Sequence, residues 1–240
     1  MKMALINLGF DLQNRFPIQA DIFRTGHICI VGGTGSGKSI ATLYILYGIL
    51  SLYHEVQLYI GDFKKSGDYK GITKSFEEFE QVTGLIEKFY GIFEETEENS
   101  PAIKILILDE YAGFITWLTQ KDKKKCEEIK GKIANLLMLG RSRHCYVWCI
   151  QQRMSAQLFP SGIGAIDNFQ ILIGLGRLSV DSRKSLFAGE HLDKDFEEGY
   201  SPICGQGLIL VDGQPLRAIQ IPFIKDKGRM TALLRKKTNQ

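Results

Sequence analysis

The sequence predicts an α/β fold: a mostly parallel sheet with helices on both faces and a C-terminal β-hairpin at the sheet edge. Three observations carry this. Short apolar runs alternate with helical patterns along most of the chain. A glycine-rich loop joins one such run to an uncharged helical stretch. Near the end, two strand-like runs flank Asp212-Gly213, a pair that favours tight hairpin turns.

Strand-like runs fall at 27–31, 56–61, 103–108, 145–150, 169–173, 207–211 and 216–221. Between them, 38–53, 77–97 and 126–140 are long enough to be crossover helices, which parallel strands require. In the last of these, Ile129, Ile133, Leu136, Leu137 and Gly140 share one face. The strands are apolar at successive positions, as expected of a sheet covered on both sides. No repeat, low-complexity stretch or linker interrupts the chain. The expected organisation is one domain over 1–224 and a basic tail over 225–240.

At 240 residues and 44% hydrophobic content, one large domain with a sizeable core is expected. The net charge of +3 is unevenly spread. Residues 77–98 hold eight Glu and one Lys, whereas 121–143 hold eight Lys/Arg against three acids, and 225–237 hold six against one Asp. An acidic face and two basic segments suit a protein that meets a polyanion on one side; solvated helix faces and a frayed tail would look the same. The five cysteines form no C-x-x-C pair and read as reduced core residues of a cytosolic protein. The longest uncharged run, 40–53, is too short to span a bilayer, and Met1–Phe10 lacks the features of a signal peptide.

Gly32-Gly33-Thr34-Gly35-Ser36-Gly37-Lys38-Ser39 fits the phosphate-cradling pattern G-x-x-x-x-G-K-[ST]. Glycines let the backbone curl so that successive N–H groups face anionic oxygens. The context agrees: the apolar run His27–Val31 precedes the loop and an apolar helical stretch follows. Gly33, Thr34, Gly35, Ser36, Gly37, Lys38, Ser39 and Ile40 are therefore the expected contacts to a nucleotide. Lys38 would reach the β- and γ-phosphates and Ser39 would ligate Mg²⁺. A second apolar run ends in Asp109-Glu110. Acids at the carboxyl end of a core strand lie where such sheets bind ligands. Asp109 is the expected Mg²⁺ partner, and Glu110 the group that accepts a proton from attacking water. A plain turn with a helix N-cap is the other reading.

These motifs resemble those of the FtsK/SpoIIIE DNA-pumping ATPases within the wider FtsK–HerA group. The lead-in is matched by Leu8, Gly9, Asp11, Pro17, Asp21 and Ile22, then His27 to Ser39. The D-P-K block appears as Asp62-Phe63-Lys64 and the D-E-F-A block as Asp109-Glu110-Tyr111-Ala112. Later blocks appear as Arg141 with Gln151-Gln152-Arg153-Met154, as Asn168-Phe169 with Asp181-Ser182-Arg183-Lys184-Ser185-Leu186, and as Gly205, Gly207, Leu210, Gly213 and Pro215. Together they span roughly residues 8–223. There are departures: Leu172 stands where the family has Arg, Gln151 and Met154 replace Thr and Pro, and His144 replaces Gly.

The resemblance implies a P-loop NTPase (RecA-like) motor domain working in a ring, with a hexamer of this chain hydrolysing Mg-ATP at subunit interfaces to move double-stranded DNA. It implies that Gln152 senses the γ-phosphate or orients water, although a strand-end amide satisfied by backbone fits as well. It makes Arg141, Arg153 and Arg183 candidates to complete a neighbouring subunit's site, or plain surface salt bridges. Lys121, Lys123, Lys124 and Lys125 become a loop towards the central channel that grips DNA phosphates without reading sequence, or a solvated connection. The tail is a second candidate for DNA or anionic lipid. The chain looks like a minimal, cytoplasmic motor, for conjugative transfer, partitioning or genome packaging, recruited to DNA or membrane by a partner protein. Protein export of the type VII secretion kind is the alternative; a nucleotide-gated assembly factor with little turnover is a third.

Overall fold

In the computed structural model, residues 5–160, 164–187, 190–192 and 200–238 are described. The strands are β1 (Ile6–Asp11), β2 (Pro17–Ala20), β3 (Ile28–Gly32), β4 (Val56–Asp62), β5 (Ser75–Glu78), β6 (Ile103–Asp109), β7 (Cys145–Gln151), β8 (Ile171–Leu175), β9 (Gln206–Val211) and β10 (Arg217–Gln220). The helices are α1 (Lys38–Leu52), α2 (Val82–Glu95), α3 (Tyr111–Lys121), α4 (Lys123–Leu139), α5 (Val180–Phe187) and α6 (Lys227–Thr238). All ten strands lie in one sheet, in the order β2-β1-β10-β9-β8-β3-β7-β6-β4-β5. From β8 to β5 every pairing is parallel. From β8 to β2 every pairing is antiparallel.

The parallel half explains its own sequence. Successive side chains of a strand point to opposite faces, so a strand covered on both sides is apolar at every position. Ile28 and Ile30 of β3, Ile105 and Ile107 of β6, and Trp148 and Ile150 of β7 face α1 and the N-terminal strands. The alternate residues Cys29, Val31, Leu106, Leu108, Val147 and Cys149 face α2, α3 and α4. Each fully buried large side chain contributes on the order of 2 kcal/mol. The expected face of α4 is buried at Ile129, Ile133, Leu136 and Leu137. Four cysteines are buried and unpaired, and Cys204 is exposed.

Several expectations shift. The β9–β10 hairpin turns at Asp212-Gly213, with Gly213 at φ +74 and Gln214 N–H donating to Val211 O, but it does not form the sheet edge. Strand β1 pairs with β10, and β2 covers β1, so the N-terminal hairpin takes that edge. The expected helix 77–97 is shortened, because Glu77 and Glu78 belong to β5 at the opposite edge and α2 begins at Val82. The segment read as a basic tail folds onto the domain: Leu234 of α6 is fully buried, Arg235 donates to Gly71 O and Thr238 to Ile72 O. Among the described residues no helix is long and apolar enough to cross a membrane.

Candidate nucleotide site

The sheet order sets the geometry of the site. Strand β7 lies between β3 and β6, so the phosphate loop, the end of β7 and Asp109 share the carboxyl edge of the sheet. Gly37, the residue before α1, adopts φ +102, a conformation that favours glycine. A Cβ at Gly37 would lie 3.2 Å from Gly205 N. Gly205 N–H in turn donates to Ser36 O at 2.9 Å, so the turn before β9 braces the loop from outside. Gly33, Thr34 and Gly35 are exposed, and a Cβ added at Gly33 or Gly35 would meet nothing within 4 Å among the described residues. Ser36 is buried, and Ile40 packs partly buried on the core beneath. The loop is thus braced on one side and open on the other.

Lys38 Nζ donates to Gly32 O at 2.7 Å and Gly33 O at 3.1 Å. Partial burial lowers its pKa, opposed by the nearby carboxylates of Glu110 and Asp109. Asp62 and Asp109 are register partners at the ends of β4 and β6. Asp62 is completely buried; its Oδ2 accepts from Ser66 Oγ at 3.0 Å and Gly67 N at 2.9 Å, and its Oδ1 has no hydrogen-bond partner among the described residues. The Asp109 carboxyl is pushed up to about 7, first by burial and then by Asp62, Glu110 and Asp68. A buried carboxyl beside three others is short of positive charge, and oxygen donors match a hard divalent cation. The residues therefore fit Mg²⁺ held by Ser39 and Asp109.

Glu110 holds the helix-cap position of α3, but its side chain caps nothing. Its backbone lies at φ +60, ψ +45, a conformation costing a non-glycine residue on the order of 1 kcal/mol. The carboxylate instead receives Gln152 Nε2 at 3.2 Å. Gly113 leaves it room, since a Cβ there would sit 3.1 Å from Glu110 Cγ. The cap reading of Glu110 and the backbone-satisfied reading of Gln152 both give way to a carboxylate–amide pair at the strand ends. The neighbouring Gln151 is fully buried against Cys29 and Met154.

The arginines separate. Arg153 is exposed just beyond β7, at the same edge as Gln152. Arg183, on α5, lies near the Tyr200 phenol and opposes the upward shift that burial imposes on it. Arg141 precedes β7 at the opposite edge, where it lines a cleft of about 370 Å³ with Asp167 and Asp212. The lysines are not on a loop. Lys121 ends α3, and Asp122 caps α4 by accepting from Lys125 N. Lys121 pairs with Glu80 at 2.5 Å, and Lys125 with Glu87 and Glu128. The acidic and basic segments are therefore neighbours, and among the described residues only Lys123 and Lys124 of the four lysines lack an ion pair.

One site residue escapes the motifs altogether. Asp68, in the loop after β4, accepts from Ser39 Oγ at 2.5 Å and pairs with Lys227 of α6. The only signal for it is an acid following Ser66-Gly67 shortly after a buried strand.

Residues 2–100 match the FtsK/SpoIIIE family. The resemblance read from the motifs is borne out, and the matched stretch takes in the phosphate loop and Asp62-Phe63-Lys64 but stops before Asp109. The fold is similar to that of the pCW3 conjugation coupling protein TcpA, solved in a monomer form with ATPγS, with a TM-score of 0.74 at 19% identity over 98% of this chain and 70% of that one. It is similar to the cytoplasmic domain of the type VII secretion ATPase EccC of Thermomonospora curvata, with a TM-score of 0.70 at 17% identity over 98% of this chain. This chain spans only 31% of the length of that EccC chain. It is also similar to the genome packaging NTPase B204 of Sulfolobus turreted icosahedral virus 2, with a TM-score of 0.54 at 14% identity over 82% of this chain and 98% of that one. At these identities the likeness is one of fold: a P-loop ATPase domain. Among curated proteins, no sequence match is found.

Proposed function

We propose that this chain is an ATPase that hydrolyses Mg-ATP at the interfaces of a hexameric ring and moves double-stranded DNA. The observation that carries the hydrolytic part is Glu110, held in a left-handed backbone conformation and aligned by Gln152 instead of capping its helix. Such strain persists where the surrounding structure enforces it and the position has a task. When bound, Mg-ATP supplies the scissile phosphoanhydride and the charge that screens its oxygens. The chain's own groups do the rest. Lys38 would exchange its loop carbonyls for phosphate oxygens, Ser39 and Asp109 would hold the metal, and Glu110 would take the proton from water. Arg153 or Arg183 completes the site of the next subunit; Arg141, at the other edge, is the weakest of the three candidates.

DNA as the polymer is supported by the family match and by the likeness to a conjugation coupling protein. Of the four candidate lysines, Lys123 and Lys124 have no ion pair among the described residues and are open to phosphates. A second reading, protein export, is favoured by the likeness to EccC and by the ion pairs that engage Lys121 and Lys125. ATPase rates with and without double-stranded DNA, single-stranded DNA and RNA separate them, together with the mass of the assembly. Stimulation by double-stranded DNA that is lost in Lys123→Glu/Lys124→Glu, with basal turnover kept, supports DNA translocation. Basal ATPase indifferent to every nucleic acid supports export.

A further inference from the structure

Asp68 stands between two elements that the motifs treat separately. On one side its Oδ2 accepts the Ser39 hydroxyl proton at 2.5 Å. On the other its Oδ1 meets Lys227 Nζ, at the start of α6. Its loop is built for this. Ser66 Oγ and Gly67 N both donate to the buried Asp62, and Ser66 Oγ accepts from Asp68 N. Farther along, Gly71 O and Ile72 O accept from Arg235 and Thr238 near the end of α6. Helix α6 thus grips the loop near both of the helix's own ends, while Leu234 anchors it to the core.

A serine that donates its proton to a carboxylate has a fixed hydroxyl orientation and turns its lone pairs away from that carboxylate. Partners that orient a ligating group in this way typically change metal affinity about 10- to 100-fold when removed. We infer that Asp68 is a positioning residue for Ser39 and that Lys227, by sharing the Asp68 charge, lets α6 set the metal dependence of nucleotide binding. This rests on the reading of 32–39 and Asp109 as a Mg-nucleotide site. Asp68 acts through Ser39, without itself holding metal or phosphate. Lys227 draws on the same carboxylate that accepts from Ser39, so its loss strengthens the hold of Asp68 on Ser39 and tightens metal binding, where the loss of Asp68 releases Ser39 and loosens it.

The test is binding of a fluorescent ATP analogue to the full chain across a Mg²⁺ titration and, separately, in EDTA. Wild type gives a Mg²⁺-dependent gain in affinity. Asp68→Asn should weaken apparent Mg²⁺ affinity about tenfold while leaving binding in EDTA unchanged, and Lys227→Met should strengthen it severalfold. In a Ser39→Ala background, Asp68→Asn should have no further effect, because its route to the metal is gone. Equal Mg²⁺ curves for wild type and both single variants overturn the inference, as does an Asp68→Asn loss of the same size with and without metal. Absence of nucleotide binding by wild type overturns the site reading itself, a distinct result.

Discussion

Strand β3 has two ends with opposite chemistry. At its carboxyl end the backbone turns into an open loop of exposed glycines, and four carboxylates gather with an imbalance that raises Asp109. At its amino end lies His27, fully buried, with its Nδ1 accepting from Val147 N at 3.0 Å. Burial first, then Arg141, pushes its pKa down to about 3. One end holds charge without enough compensation; the other keeps its buried imidazole neutral. The comparison teaches where this domain spends stability: strain and like-charge crowding sit where a ligand is to bind, and a buried neutral histidine sits behind it.

Four experiments press on that contrast. Glu110→Gln should cut ATP hydrolysis by about 100-fold or more while leaving nucleotide affinity near wild type, as read by steady-state rates beside binding isotherms. Equal losses in both would make Glu110 a structural residue.

The next largest effect is at the other end. The folded pKa of His27 lies below its unfolded value of 6.5, so its contribution to stability is intact above pH 6.5 and is lost as pH falls from there towards 3. Between pH 6.5 and pH 5 this amounts to about 2 kcal/mol. Denaturant midpoints should fall accordingly, and His27→Asn should flatten that slope.

Gln152→Ala removes one bond to the Glu110 carboxylate and should lower kcat about tenfold, about 1.4 kcal/mol, with KM little changed. The smallest effect is expected for Lys125→Ala. Its ion pairs with Glu87 and Glu128 are partly exposed to solvent, and its loss should cost below about 1 kcal/mol in chemical unfolding. A larger cost would mean the acidic and basic helices brace each other more than their exposure implies.

The parallel half of the fold was readable because burial on both faces forces continuous apolar runs such as Ile103–Leu108. The strands towards the two edges of the sheet were less so. Asn7 and Asp11 in β1, Pro17 in β2 and the glutamates of β5 carry no strong strand preference; their neighbours at each edge impose it. The phosphate loop and Asp109-Glu110 were legible because their geometry is local backbone. Asp68 was not, since its partners Ser39 and Lys227 are brought to it only by the folded chain. The lysine cluster was visible as charge, but Glu80, just before α2, and Glu87, on α2, reach Lys121 and Lys125 only in the folded chain.

The pairing of β1 with β10 has a consequence for synthesis. Phe10 finds its partner only when Gln220 has emerged, and Ser36 receives its brace only with Gly205. Contacts between distant parts of a chain are slow to form and leave strand edges exposed meanwhile. A ribosome-bound chain halted before Gly205 would carry the complete phosphate-loop motif without the support that shapes it. Nucleotide binding should then appear late, as one of the last properties the nascent chain acquires.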